Sequence, residues 1–204
     1  MKKDINSNGY IFLYATILVV VVAALLTTAA ICLKPRQDDN KKNEKRINIL
    51  RAAGIAEVNA DNAATLFEEH CTDEFLLDEN GRPDNNGILP VFVIDRSISV
   101  IPMKGKGLWG PISGYLAVDA EGTIIGANFD HESETPGLGG EITSAKFQSQ
   151  FSGKHILQDG QPVTVEFDAI TGATKTSNGV DEMIQRTVKN YLPYFEQIAN
   201  NKMK

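Results

Sequence analysis

The sequence predicts an α+β domain carried on a single N-terminal transmembrane helix. Residues 10–33 contain no charged side chain. The middle of the chain contains short β-rich runs separated by turn-forming residues, and helical patterns border this region on both sides. Because hairpin-like turns join these runs, without regular helical crossovers between them, we expect a mixed or antiparallel sheet.

Composition limits the classes of protein to which the chain can belong. It has 204 residues, 42% hydrophobic and 23% charged, which suits one folded domain with a core. The net charge of −6 and the lack of a basic patch exclude nucleic acid as an expected partner. One cysteine, Cys32, lies in the apolar run, so no disulfide framework is indicated. The three histidines are scattered, and we expect no metal site.

The apolar run is long enough to cross a membrane. As a helix, residues 10–33 would extend roughly 36 Å at about 1.5 Å per residue, against a hydrocarbon core of about 30 Å. Tyr10 lies where an interfacial aromatic residue is expected. A cleaved signal peptide is the alternative, because Lys2 and Lys3 precede the run and Ala29–Ala30 could be cleaved. Signal-peptide cores are shorter, about 7–15 residues, so we favour an anchor.

These features divide the chain into four parts. They are a tail at residues 1–9, a transmembrane helix at 10–33, a solvated linker at 34–45 and a folded domain at 46–204. Basic residues are more numerous after the helix than before it. By the positive-inside rule, this count places the folded domain in the cytoplasm.

Helical periodicity appears in three places in the folded domain. The first helix is predicted at Asn43–Ala53 and stopped by Gly54, and the second is predicted at Ala60–His70. A long final helix is predicted from Ser177 or Asn178, and Pro193 should end or kink it.

Strand patterns occupy the region between these helices. The segment 78–87 is turn-forming throughout, and residues 119–122 predict a hairpin turn. The predicted strands are 91–94, 98–101, 115–118, 123–125 and 163–167.

The segment Asp168–Ser177 combines small residues with several hydroxyl groups. It follows a predicted strand and enters the final predicted helix. The N-terminus of a helix stabilises a phosphate through its free N–H groups and its dipole. The segment therefore predicts a site that binds or esterifies a phosphate. The alternative is that Thr176, Ser177 or Asn178 merely caps the helix.

Two further segments are rich in glycine. Glu134–Glu141 contains three glycines and a proline, and Leu138 at its centre is suited to packing on a flat aromatic ligand. The alternative is an ordinary turn before a helix at about 141–151. Gly105–Pro111 contains Trp109, for which ring stacking or an interface competes with a simple loop anchor.

Taken together, these segments resemble a known family. Thr171–Thr176 resembles the flavinylation motif of the FMN-binding domain family, and Glu134–Glu141 and Gly105–Pro111 are similar to its other signature stretches. Their order and spacing, and the N-terminal anchor, also fit. The resemblance implies that a flavin transferase joins FMN to a threonine through its phosphate.

The resemblance also assigns site residues. Thr174 would be the attachment point, with Thr176 as the fallback, and Asp168 would be the motif acid that assists flavin transfer. The other residues expected around FMN are Trp109, Thr135, Gly137, Leu138, Gly139, Gly140, Thr171, Gly172, Ala173, Lys175 and Ser177. The flavin performs the redox chemistry itself, so no catalytic acid, base or nucleophile is expected.

Within the family, the resemblance extends to flavin subunits of ion-translocating redox complexes. It implies an electron relay in a complex that couples NADH oxidation and quinone reduction to sodium export. Other subunits, a flavin transferase and membrane lipid would be its partners. The alternatives are the equivalent ferredoxin:NAD complex and a tethered, non-redox binding or assembly module. The family places the domain on the periplasmic side of the inner membrane, against the charge count.

Overall fold

The computed structural model describes residues 8–158 and 161–202. The chain divides between Asn43 and Glu44 into two compact units. The helices are α1 Asn8–Ala52, α2 Ala63–His70, α3 Ala145–Gln148 and α4 Thr174–Lys202. The strands are β1 Cys71–Leu77, β2 Leu89–Ile94, β3 Ile98–Lys106, β4 Pro111–Val118, β5 Ile124–His131, β6 Leu157–Gln158 and β7 Gln161–Pro162.

The described residues of the N-terminal unit, 8–43, all belong to the long helix α1, whose last residues, 44–52, belong to the second unit. The apolar stretch of α1 has a mean hydropathy of 2.7 and is long enough to cross a bilayer, as predicted. Thr16 and Thr28 donate their hydroxyls to backbone carbonyls one turn earlier, which satisfies these polar groups within the helix. The charged stretch at residues 34–45 is also helical, so the predicted linker is exposed but regular. Its Lys, Arg, Gln and Glu residues are good helix formers.

The second unit is built on an antiparallel sheet. In the described part of the chain, five strands pair in the order β1-β2-β3-β4-β5. The sheet and its flanking helices confirm the predicted α+β class. Sequence patterns missed strand β1, because Thr72, Asp73 and Glu74 are exposed polar residues at the sheet edge.

The predicted strand at residues 163–167 is wrong. This segment has no strand ladder, and only Gln161–Pro162 just before it pairs, with β6. Val165 is nonetheless buried and Phe167 packs against the same core. The alternating pattern therefore reflects a segment that buries every second side chain without pairing as a strand.

Both faces of the sheet are covered. On one face, the apolar stripe of α4 packs into the main core, as the periodicity predicted. On the other face, Ile49 and Ala52 of α1 pack against Phe92, Val100 and Ala117. Adjacent strand residues alternate between the two cores, as expected for a sheet buried on both sides.

Three helix predictions need correction. The helix predicted at Asn43–Ala53 is not a separate element but the C-terminal part of α1. α4 begins at Thr174, earlier than expected, and Pro193 does not end it. Tyr194 and Phe195 beyond the proline are buried, so tertiary packing outweighs its local cost. The helix predicted at 141–151 is a 3₁₀ turn, Gly139–Thr143, followed by the short α3. It breaks at Ser144, whose hydroxyl accepts a hydrogen bond from Phe147 N.

Close packing between β3 and α4 brings Gly105–Pro111 next to the first turns of α4. An added Cβ at Gly179 of α4 would collide with the Lys106 carbonyl at the end of β3. Glycine at this position therefore lets the β3–β4 turn lie against the first turns of α4.

We expect Gly179→Ala to destabilise residues 44–204 by roughly 1–3 kcal/mol, the cost of overpacking a close contact. The effect opposes the helix propensity of alanine, which favours the substitution by about 1 kcal/mol. Urea unfolding of this unit measures the change. Asn178→Ala, at the exposed neighbouring position, is the control and should alter stability by less than about 0.5 kcal/mol. Equal effects at the two positions would contradict the packing argument.

Candidate functional site

A buried carboxylate, Glu134, joins the three segments singled out in the sequence. Its side chain is 4% exposed. Oε2 accepts a hydrogen bond from Thr176 Oγ1 at 2.6 Å. Oε1 accepts from the backbone N–H groups of Trp109 at 2.8 Å and Gly110 at 3.3 Å. We call these four residues the Glu134 network.

The network keeps the carboxylate ionised. Burial raises the pKa of Glu134, but the hydrogen bonds from Thr176, Trp109 and Gly110 outweigh it and leave the pKa below its ordinary value. The backbone N–H of Glu134 also donates to His131 Nδ1 at 3.3 Å. The site therefore contains a fixed negative charge whose donors come from separate parts of the chain.

The Gly-rich loop closes around this carboxylate. An added Cβ at Gly139 would lie 2.7 Å from Thr176 Oγ1, so only glycine allows this approach. Gly139 and Gly140 are buried, whereas Thr135 and Gly137 are exposed. The Thr135 carbonyl accepts from the N–H groups of Leu138 and Gly140, which folds the loop on itself. The two buried glycines thus pack against the protein, and the exposed part of the loop is Thr135–Leu138.

The two candidate attachment threonines have opposite environments. Thr174 is the first residue of α4 and is exposed. Thr176 is 1% exposed, and its hydroxyl is occupied by Glu134. The structure therefore leaves Thr174 accessible and withdraws Thr176 from solvent.

The hydroxyls of Thr176 and Ser177 do not cap the helix, because both residues lie inside α4, as does Asn178. Ser177 is buried, and its hydroxyl accepts from Ile170 N at 3.0 Å and donates to the Ala173 carbonyl at 3.1 Å. It thus ties the preceding turn to the helix. The alternative of simple capping at these residues is wrong.

Leu138 meets the threonine segment at Gly172. An added Cβ at Gly172 would lie 3.0 Å from Leu138 Cδ2, so the Gly-rich loop and the Thr171–Thr174 turn are neighbours. Leu138 is still 41% exposed. The tip of this loop therefore presents an apolar surface close to the turn that leads into α4.

The segment Gly105–Pro111 contains an exposed apolar tip. Leu108 and Trp109 are 47% and 69% exposed, and we call them the Leu108–Trp109 tip. Gly107 N donates to the Gly110 carbonyl at 2.8 Å and closes the turn between β3 and β4. The indole is not buried, so Trp109 is not a simple loop anchor.

Asp168 is paired with Gln150 through its backbone and lines two open grooves. Asp168 is exposed, and its backbone pairs with the side-chain amide of Gln150. Open grooves of about 630 and 500 Å³ both include Asp168 in their lining. Asn178 and Asp181 line the larger groove, and Thr171 lines the smaller. Lys175 is exposed beside Thr174 in the chain.

The role of Glu134 was not predictable from the sequence, which shows it only as the first residue of a Gly-rich loop. A single acidic residue at a loop start resembles any exposed one, and its partner Thr176 lies 42 positions away. His131, one of the scattered histidines, likewise gave no signal of its contact with the Glu134 backbone. In residues 8–158 and 161–202, no group of three or more potential ligands that could hold a metal ion is found.

The residues around Thr174 fit a phosphate-linked group. An exposed hydroxyl at the N-terminus of a 29-residue helix lies where the helix dipole stabilises a phosphate. The basic side chain of Lys175 follows it, and the exposed apolar surface of Leu138 lies near the preceding turn.

Comparison with known proteins identifies relatives of the chain. Residues 107–189 match the family model of the FMN-binding domain. The chain is 28% identical to the C subunit of the Na(+)-translocating NADH-quinone reductase of Pasteurella multocida, over 89% of this chain and 90% of that protein. It is 33% identical to the corresponding protein of Chlamydia muridarum, over 50% of this chain but 41% of that protein. The chain thus spans about two fifths of the length of the chlamydial relative.

Solved structures show the same fold. The crystal structure of the C subunit of the Na(+)-translocating NADH-quinone reductase from Parabacteroides distasonis superimposes with a TM-score of 0.71 and 34% identity, over 80% of this chain and 96% of that one. The Shewanella oneidensis NqrC structure superimposes with a TM-score of 0.66 over 81% of this chain and all of that one. At 22% identity, the second likeness concerns the fold alone.

The lowered pKa of Glu134 predicts a pH-dependent stability. A carboxyl group whose pKa falls on folding stabilises the folded state above its unfolded pKa, about 4.3 for Glu. This contribution disappears as pH falls through the folded pKa. We therefore expect Glu134→Gln to destabilise residues 44–204 by roughly 1–3 kcal/mol at pH 7 and by less at about pH 3.

Urea unfolding at the two pH values measures this difference. Glu141→Gln, which changes an exposed carboxylate in the same segment, is the control and should behave like the unchanged chain at both pH values. A destabilisation by Glu134→Gln that is the same at both pH values would contradict an ionised, hydrogen-bonded Glu134.

Proposed function

Since the chain belongs to the NqrC family of the Na(+)-translocating NADH-quinone reductase, we propose that it is a membrane-anchored flavoprotein with FMN bound covalently through its phosphate to Thr174. The observation that carries this assignment is the contrast between the two threonines of the motif. Thr174 is exposed at the start of α4, whereas Thr176 is buried with its hydroxyl engaged.

The position of Thr174 also suits a phosphate ester. The N-terminal end of α4 favours negative charge, and Lys175 adds a cation beside it. An exposed turn is accessible to a flavin transferase. Asp168 is exposed in the same segment, and we assign it the role of assisting flavin transfer.

The surroundings of Thr174 are suited to a flat aromatic group. Leu138, packed at Gly172, supplies apolar surface there, and we assign the exposed indole of Trp109 to the same aromatic group. Thr171, Gly172 and Ala173 form the turn into the helix. Thr135 and Gly137 form the exposed part of the Gly-rich loop, and Gly139, Gly140 and Ser177 support the site from within. When bound, FMN supplies the electron-transfer chemistry, and these residues orient it and exclude water.

The wider role follows from the relatives. We infer that the chain relays electrons in a multi-subunit membrane complex that couples NADH oxidation and quinone reduction to sodium export. Its partners would be the other subunits, a flavin transferase and the lipid around α1. The relatives are named for the quinone reductase, which favours this complex over a ferredoxin:NAD complex. The match to the FMN-binding domain disfavours a non-redox tether.

The domain is proposed to lie on the periplasmic side of the inner membrane. The count of basic residues after the membrane segment favours the opposite side. Those residues are interspersed with Asp38, Asp39 and Glu44, and long domains translocate with little regard for flanking charge.

Attachment is tested with a matched pair of substitutions. The full chain is co-expressed with a flavin transferase, denatured in detergent, and imaged in a gel for flavin fluorescence. Val has the shape of Thr without its hydroxyl, so Thr174→Val should remove the fluorescence completely. Thr176→Val should keep the band fluorescent.

Loss of fluorescence only in Thr176→Val would move the attachment to the buried hydroxyl and contradict this assignment. A dark band from the unchanged chain, beside a fluorescent known flavoprotein made with the same transferase, would reject covalent FMN.

A further inference from the structure

The Leu108–Trp109 tip combines exposure with a tightly held backbone. Both side chains are exposed to solvent, and the tip is flanked by Gly107 and Gly110. Glycine-flanked turns lose much conformational entropy when they are ordered. Yet two consecutive N–H groups, of Trp109 and Gly110, donate to the same oxygen of Glu134. The tip is therefore fixed through its backbone and not through its side chains.

The carboxylate that holds the tip is itself fixed from the opposite side. Thr176 donates to Oε2, and the backbone of Glu134 is held by His131. Gly139 packs against Thr176 so closely that no side chain fits between them. A buried charge needs all of its donors, because each missing partner leaves it poorly solvated. Displacing Thr176 therefore removes the donor to Oε2 and loosens the carboxylate whose other oxygen, Oε1, holds the tip.

We propose that Glu134 is a positioning residue that couples the Leu108–Trp109 tip to the first turn of α4. Thr176, its partner on the helix, lies two positions after Thr174. The tip, the Gly-rich loop and the turn that bears Thr174 are thereby held in one arrangement before any cofactor is attached. The relevance of this arrangement to FMN rests on the proposed function, whereas the coupling itself belongs to the flavin-free chain.

Thr176→Val tests the coupling at the helix end of the Glu134 network. The substitution replaces the donating hydroxyl with a methyl group beside Oε2, and Trp109 and Gly110 remain unchanged. Hydrogen exchange is measured by mass spectrometry on the flavin-free full chain in detergent, for a peptide that covers 107–112. We expect the amides of Trp109 and Gly110 to exchange roughly tenfold faster or more, because the carboxylate that accepts from them is no longer fixed by Thr176. Trp109 is the only tryptophan, so its fluorescence anisotropy should fall in the same variant.

Two comparisons separate positioning from a loss of overall stability. Thr187→Val removes another buried hydroxyl from α4, one that donates to the Met183 carbonyl at 2.7 Å, and should leave peptide 107–112 unchanged. Thr176→Ser keeps the donor and should restore slow exchange. Equal acceleration by Thr187→Val, or failure of Thr176→Ser to restore slow exchange, would show a merely structural role.

Unchanged exchange in Thr176→Val would overturn the proposal directly. If that variant does not fold, Glu134→Gln provides the same measurement, with Glu141→Gln as its control. Slow exchange in Glu134→Gln would then be the overturning result. Since every arm uses the flavin-free chain, failure of FMN attachment at Thr174 would leave this result intact, and the reverse also holds.

Discussion

The candidate site depends on the need of one buried negative charge for hydrogen-bond donors. Glu134 cannot stay ionised inside the protein unless donors surround it, and those donors come from the β3–β4 turn and from α4. Satisfying the carboxylate therefore draws together segments that are distant in the chain. Gly139 and Gly179 complete the assembly, because each occupies a position where a side chain would collide with a neighbour.

This constraint gives two nearby threonines different roles. The hydroxyl of Thr176 faces Glu134 and stabilises the interior, and Thr174, two positions earlier, is left at the surface at the start of α4. A sequence motif with several hydroxyls thereby separates into a structural residue and an accessible one. The proposed covalent flavin follows from that separation together with the family to which the chain belongs.

Sequence patterns predicted the fold class, the membrane-spanning stretch, the stripe of α4 and most of the sheet, because these depend on local periodicity. They failed where tertiary context decides. The edge strand β1 is too polar to recognise, and the alternation of Val163–Phe167 arises from packing without strand pairing. Pro193 is tolerated because the residues after it are buried.

The three functional segments were recognisable one at a time, but their connection was not. Glycine content and hydroxyl clustering marked each segment, whereas the bond between Glu134 and Thr176 depends on how β5, the Gly-rich loop and α4 pack. The family resemblance ranked Thr174 above Thr176, but the sequence shows no physical difference between the two hydroxyls. Their contrast in burial is a property of the folded chain.

The most direct test of the account is peptide mass spectrometry of the chain purified from the membranes of its own cell. Trypsin cleaves after Lys175, which separates His155–Lys175, containing Thr174, from Thr176–Arg186. The account predicts that His155–Lys175 is heavier by one FMN less one water, with fragment ions that place the addition on Thr174. The same mass on Thr176–Arg186, or on neither peptide, would contradict it.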